Sequence, residues 1–198
     1  MAAFDKVGKK YTDKETGIWA FNDRILKRHR CDFLLAGAIG VMFRKVKSVA
    51  DVGCGNGRYC AIMKAFGMPV VHGYDGTPNI KSLGIYDDIM TIDLTKRRYV
   101  GIYYDLVLCL EVGEHIPKKH EQVFIDNLCE YVSKFLVISW APPGQGGTGH
   151  YNEKSDVEVI TELMARGLVL EEKHMELLRG RTTLPWFKNV MVFKRNGN

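Results

Sequence analysis

The sequence has no apolar run long enough to cross a bilayer. Its longest, residues 33–43, is about half the length of a spanning helix and reads as a buried one. It has no Cys-x-x-Cys pair, so its one closely spaced histidine pair, His115 and His120, follows none, and the common zinc patterns are removed. The five cysteines, Cys31, Cys54, Cys60, Cys109 and Cys129, are an odd number without the spacing of a disulfide scaffold. They read as reduced, mostly buried thiols of an intracellular chain. Residues 1–6 lack the apolar core of a secretory signal, so a cytoplasmic location is the expectation. Repeats and low-complexity tracts are also missing. What is present is ordinary for a globular chain: 198 residues, 46% hydrophobic and 26% charged, the size of one domain with a core of its own. The net charge of +5 allows an acidic partner without demanding one.

Two regimes follow one another along the chain. Residues 1–45 carry the apolar clusters Ile18-Trp19-Ala20-Phe21 and Ile25-Leu26, a basic patch at Lys27-Arg28-His29-Arg30, and the apolar run 33–43; they read as an N-terminal helical cap. From residue 46 short β-branched runs alternate with helical stretches. Strands are expected at 46–52, 70–74, 89–94, 104–110, 135–140, 168–170 and 189–194. Helices are expected at 59–66, closed by Gly67 and Pro69, at 118–132, and from the Ser155 cap to Arg166, ended by Gly167. Residues 141–152 form a glycine-rich loop. Alternation of this kind specifies a doubly wound, mostly parallel α/β sheet with helices on both faces, whose ligands bind at the carboxyl ends of the strands.

The sharpest motif lies at one such end. Asp51-Val52-Gly53-Cys54-Gly55-Asn56-Gly57 joins an apolar strand to a helix. Glycines there let the backbone turn tightly against a ligand, and the next helix offers free N–H groups. A dinucleotide fingerprint would need a third small residue where Arg58 stands, and an acid such as Asp51 is unwelcome beside a pyrophosphate. It is welcome beside an ammonium group. Asp75 ends the next strand about 20 residues on, where an acidic side chain meets ribose hydroxyls. Asp93 lies at the end of the third strand, where a carboxylate can accept from an adenine amine, with a cap or turn role as the plain alternative.

Together these residues resemble a class I S-adenosylmethionine-dependent methyltransferase. The likeness rests on the loop 51–57, on Asp75, on Asp93-Leu94, and on Tyr104-Asp105-Leu106-Val107 followed by Glu111-Val112-Gly113-Glu114-His115-Ile116-Pro117. The last run is similar to the small-molecule O-methyltransferase branch. The resemblance implies seven strands with the last antiparallel, and S-adenosylmethionine as cofactor. It places Asp51, Gly53, Cys54, Gly55, Asn56 and Gly57 against the methionine and ribose, Asp75 and Gly76 at the ribose hydroxyls, and Asp93 and Leu94 at adenine. Glu111 and Val112 then lie near the sulfonium. Base-amine methylation is disfavoured, because no Asn/Asp-Pro-Pro-aromatic run follows the fourth strand. Cytosine-C5 chemistry is disfavoured too, because Pro117 precedes Lys118 and not a cysteine.

Methyl transfer to a hydroxyl needs alignment and a base. Glu111, Glu114 and His115 occupy the loop after the fourth strand, and His150 the loop after the fifth; His150 is the first choice of base. The Glu-x-x-Glu-His run with a distant histidine also resembles the metal-binding signature of small-RNA 2′-O-methyltransferases and some quinone enzymes, and its donors suit Mg²⁺ or Mn²⁺. Trp19, Phe21, Trp140 and Tyr151 are candidate walls of an acceptor pocket, with core packing the commoner role of aromatics near strand ends. The reading is therefore an enzyme that O-methylates a small molecule or a sugar hydroxyl. An RNA methyltransferase using the basic tracts, and a cofactor-binding partner subunit without turnover, are the alternatives; an NAD-linked oxidoreductase ranks behind them. Acceptor identity and oligomeric state stay open at this level.

Overall fold

A computed structural model describes residues 12–20, 30–97 and 101–197. Seven strands form one sheet: β1 (Ser48–Val52), β2 (Val70–Asp75), β3 (Ile89–Thr91), β4 (Tyr104–Leu110), β5 (Val132–Ser139), β6 (Leu168–Leu170) and β7 (Met191–Arg195), in the spatial order β3-β2-β1-β4-β5-β7-β6. β7 runs antiparallel to β5 and to β6, and the pairings from β3 across to β5 are parallel. Strand order reverses between β1 and β4, so their carboxyl ends border the crevice where doubly wound sheets bind ligands.

Both faces of the sheet are covered because its strands are apolar on both sides. Ala50, Val52, Val107 and Ile138 face one core with Phe124, Leu128, Val159 and Leu163 from the helices α4 (Glu121–Tyr131) and α5 (Asp156–Met164). Their sequence neighbours Val49, Leu106, Leu108 and Val137 face the other, with Leu35, Ile39, Met63 and Leu178. Those four come from α1 (Phe33–Met42), α2 (Arg58–Ala65) and α6 (Glu172–Arg179). A one-turn helix, α3 (Ile80–Leu83), follows β2. Local chemistry sets the boundaries. Asp32 caps α1 by accepting the Leu35 N–H, and Ser155 and Glu158 form a reciprocal capping box on α5. Among the described residues no helix is long and apolar enough to cross a membrane.

Several sequence expectations shift. Within the N-terminal cap, helix is found over α1, whereas residues 12–20 make a tight turn closed by an antiparallel bridge between Thr12 and Trp19. Phe21, Ile25-Leu26 and the patch 27–29 lie outside the described residues. β3 stops at Thr91, which leaves Asp93 and Leu94 in the turn beyond it. β5 starts directly after α4 and ends at Ser139, one residue before Trp140. The charged helix α6 carried no expectation at all.

Trp140 is 1% exposed and is a core residue, not a pocket wall. Its Nε1 donates to the Asn152 carbonyl at 2.6 Å and its ring meets Phe124 edge-on. Gly113 lies flat against it: a Cβ on Gly113 would stand 2.3 Å from the indole. Gly113→Ala should therefore cost about 1–3 kcal/mol of stability through overpacking alone. Urea unfolding measures it, and an unchanged midpoint would show that Trp140 has room to move.

Candidate functional site

The loop after β1 is built by left-handed glycines. Gly53, Gly55 and Gly57 have φ of 78°, 54° and 80°, a region that side-chain-bearing residues resist. Gly53 and Cys54 donate their N–H groups to the Tyr74 carbonyl at 2.7 and 3.0 Å, and Gly55 donates to Asp75 Oδ2 at 2.9 Å. The loop is thus laced to the end of β2. Gly53 also meets the β4 loop, since a Cβ there would lie 2.3 Å from Val112 Cγ2. Asn56 is buried, and its Oδ1 has no hydrogen-bond partner.

Two buried carboxyls sit beneath this loop. Asp75 accepts Gly55 N–H on one oxygen and Thr77 N–H, at 2.8 Å, on the other; each oxygen keeps a second lone pair. Burial raises its pKa despite those bonds. Among the described residues Asp51 accepts only the weak Cys60 thiol, at 3.5 Å. Burial pushes Asp51 up to about 7, the Cys60 bond opposes this, and the charge of Asp75 adds to it. Gly76 packs under Ile18 of the N-terminal turn. Asp93 accepts from Thr95 N and Oγ1 at 3.0 and 2.6 Å and pairs with Lys96, so it caps the turn after β3. Leu94 is buried in the core beside it.

The loops after β4 and β5 meet. Glu111 has φ of 55°, unusual for a residue with a side chain, and such strain collects at functional sites. Its N–H donates to Ser139 Oγ at 2.9 Å, and its Oε2 accepts Gln145 Nε2 at 3.1 Å. Its Oε1 is buried without a partner. Glu114 is fully buried and neither of its carboxyl oxygens has a partner; burial, reinforced by Glu111, drives its pKa well above the carboxylate range. The Glu114 carbonyl accepts the N–H groups of Tyr151 and Asn152 at 2.8 and 3.0 Å, which brings the second loop against the first.

Both histidines fall here. His115 Nδ1 donates to the Gly149 carbonyl at 3.0 Å, leaving Nε2 as the lone-pair nitrogen, 3.8 Å from Glu114 Oε1. Burial pulls His115 down to about 4, so its ring is neutral at pH 7. The His150 ring stands edge-on to it at 5.1 Å, with Nδ1 on Glu153 Oε1 at 3.1 Å. Glu114, His115 and His150 each present a ligand atom within 4.8 Å of the others. The sequence expectation that the two loops face each other is met in space. Trp19 packs edge-on to His115, and Tyr151 OH shares a hydrogen bond with Thr12 at 2.8 Å. Thr12, Gln145, Ser139 and Glu153 were not singled out from the sequence. Thr12 has no local signal, because its partner lies 139 residues away.

Comparison with known proteins settles the lineage. A family model described as a methyltransferase domain matches residues 22–188. The chain belongs to that methyltransferase family. A search of curated proteins finds no sequence relative. Among solved structures, the methyltransferase is similar to the sugar N-methyltransferase KedS8 from Streptoalloteichus, at 14% identity, TM-score 0.70 and 98% coverage of each chain. It is also similar to CalS10, an amino pentose methyltransferase from Micromonospora echinaspora, at 15% identity and TM-score 0.64, covering 89% of this chain and 98% of that one. Magnesium protoporphyrin IX methyltransferase from Synechocystis matches at 19% identity and TM-score 0.58, over 88% of this chain and 79% of that one. At such identities these likenesses establish the fold.

Asp51 yields a prediction for the methyltransferase without ligand. Its folded pKa, about 7, lies above the ordinary 3.8, so between those values the folded state binds the extra proton. Stability should fall as pH rises through that window, by roughly 2–4 kcal/mol from this residue. Thermal unfolding of wild type and Asp51→Asn between pH 4 and pH 8 gives its share together with its coupling to Asp75. Parallel curves would show that Asp51 is ionised in the fold.

Proposed function

We propose that this methyltransferase carries a methyl group from S-adenosylmethionine to a hydroxyl of a small molecule or sugar. The observation that carries the reading is the Glu114, His115 and His150 cluster, standing beside an acid-led glycine loop at the carboxyl edge of the sheet. The cofactor fits the chain's own features. The left-handed cradle 53–57 has no side chain on its glycines, Asn56 Oδ1 awaits a donor, and an ammonium group would neutralise buried Asp51. Asp51, Gly53, Cys54, Gly55, Asn56 and Gly57 would hold the methionine and ribose part, Asp75 with Gly76 the ribose hydroxyls, and Asp93 with Leu94 the adenine. Neighbours of the same fold have been crystallised with S-adenosylmethionine or its demethylated product bound.

Bound there, the cofactor supplies an electrophilic methyl group on a sulfonium. The chain's task is to align the acceptor and remove its proton. His150 is the base: its Nδ1 faces the Glu153 carboxylate, which stabilises the imidazolium formed when Nε2 takes the proton. His115 stays neutral and accepts a hydrogen bond at Nε2. Glu111 and Val112 would lie beside the methyl group.

A second reading is favoured by the same cluster. One carboxyl with two unpartnered oxygens and two imidazoles, each fixed at Nδ1 by an outer acceptor, is how metal-ligating histidines are held. Glu114, His115 and His150 would hold a divalent cation that lowers the acceptor's pKa. Two imidazoles among three ligands suit Mn²⁺ better than Mg²⁺.

A radiolabelled methyl-transfer screen over sugars and small hydroxyl compounds tests the activity; label on amines alone would overturn the hydroxyl assignment. Asp75→Ala should weaken S-adenosylmethionine binding by about 1–3 kcal/mol in calorimetry, and unchanged affinity would remove Asp75 from the site. His150→Ala should lower kcat about 10²–10⁴-fold while leaving cofactor affinity intact. Activity lost to a chelator and restored by Mn²⁺ selects the cation reading; chelator-resistant activity selects the base.

A further inference from the structure

The glycine-rich loop after β5 is organised around one acid. Gly144 and Gly146 have φ of 90° and 66°, and those left-handed turns direct their N–H groups onto Glu153: Gly144 donates to Oε2 at 2.8 Å and Gly146 to Oε1 at 2.7 Å. The same Oε1 meets His150 Nδ1 at 3.1 Å. Three donors thus converge on one carboxylate, and the Gly144 bond, followed by those of His150 and Gly146, holds it below the usual range. A carboxylate only accepts, so His150 carries its hydrogen on Nδ1 and its lone pair on Nε2. Gly147 packs closely against the ring at that nitrogen: a Cβ there would stand 2.3 Å from Nε2.

We propose that Glu153 is a positioning residue, which fixes the tautomer and direction of His150 while folding the glycine loop around it. The proposal deepens the reading of His150 given above and rests on it. It holds whether His150 takes a proton or binds a cation, because both use Nε2. The side chain of Glu153 meets no reacting atom; it acts through the imidazole.

Glu153→Gln keeps the shape of the side chain but leaves one accepting oxygen and adds a donor. One of the three incoming hydrogens then has no acceptor. Where the amide nitrogen takes the Oε1 position it donates to Nδ1, and the tautomer with hydrogen on Nε2 becomes the stable one. With the hydroxyl acceptor that the transfer screen identifies, kcat should fall about 10–100-fold, with S-adenosylmethionine affinity within about 2-fold of wild type. A double-mutant cycle gives the decisive readout. If Glu153 works through His150, the double variant Glu153→Gln/His150→Ala is no slower than His150→Ala alone. Multiplying losses, or a wild-type rate for Glu153→Gln, overturn the proposal while leaving His150 in place. A wild-type rate for His150→Ala overturns the reading beneath it as well. A measurement on the unaltered protein guards against a variant that fails to fold. Long-range ¹H–¹⁵N correlation of the histidine rings should show His150 protonated on Nδ1 with a bare Nε2, and the opposite tautomer would refute the assignment.

Discussion

The Glu114 carbonyl oxygen accepts the backbone N–H groups of both Tyr151 and Asn152, and the arrangement of the candidate site depends on that pair of bonds. They join loops that leave two different strands. The bond from His115 Nδ1 to the Gly149 carbonyl adds a further link between the same loops. The bonds form because β4 and β5 are parallel neighbours in register, with Leu110 opposite Ser139, so both loops start at the same height. The second loop is then pinned at both ends. Lys154 N–H reaches back to the Ala141 carbonyl, and buried Glu121 takes Asn152 Nδ2 and Lys154 Nζ at 2.8 and 3.0 Å. Residues between these anchors are held by glycine geometry and one carboxylate, and several of them are exposed.

The site concentrates costs that the sheet absorbs. Glu114 and Asp51 are carboxyls in surroundings that disfavour their charge, Glu111 holds a left-handed backbone, and Asn56 Oδ1 goes unpaired. Unsatisfied buried polar groups lower stability. Two continuous apolar cores, one on each face of the sheet, support them. Clustering of such costs along one edge is the pattern expected where ligand atoms complete the hydrogen bonding.

The architecture was legible because strand periodicity, helix caps and the acid-led glycine loop are local signals. Asp51, Asp75 and the three glycines stand where their spacing placed them. Asp93 was ambiguous in the sequence, since an acid before Leu-Thr serves a turn as well as a ligand; its bonds to Thr95 show the turn role at work. The proximity of His115 to His150 required the register of β4 and β5, which no local pattern encodes. Trp140 was open in the sequence because an aromatic near a strand end serves as wall or, more often, as core, and its contacts with Gly113 and Phe124 show the core role. The N-terminal turn was hidden for the same reason. Ile18 and Trp19 look like one face of a helix, yet they dock on Gly76 and His115, far away in sequence.

The cradle 53–57 and the Glu114, His115 and His150 cluster are, in the function proposed above, two halves of one site. A crystal structure with S-adenosylhomocysteine bound tests this most directly. It should show the ribose hydroxyls on Asp75, the amino group near Asp51, and the sulfur directed toward the Glu114, His115 and His150 cluster. A product molecule bound away from the glycine cradle, or with its sulfur turned away from the two histidines, would contradict the account.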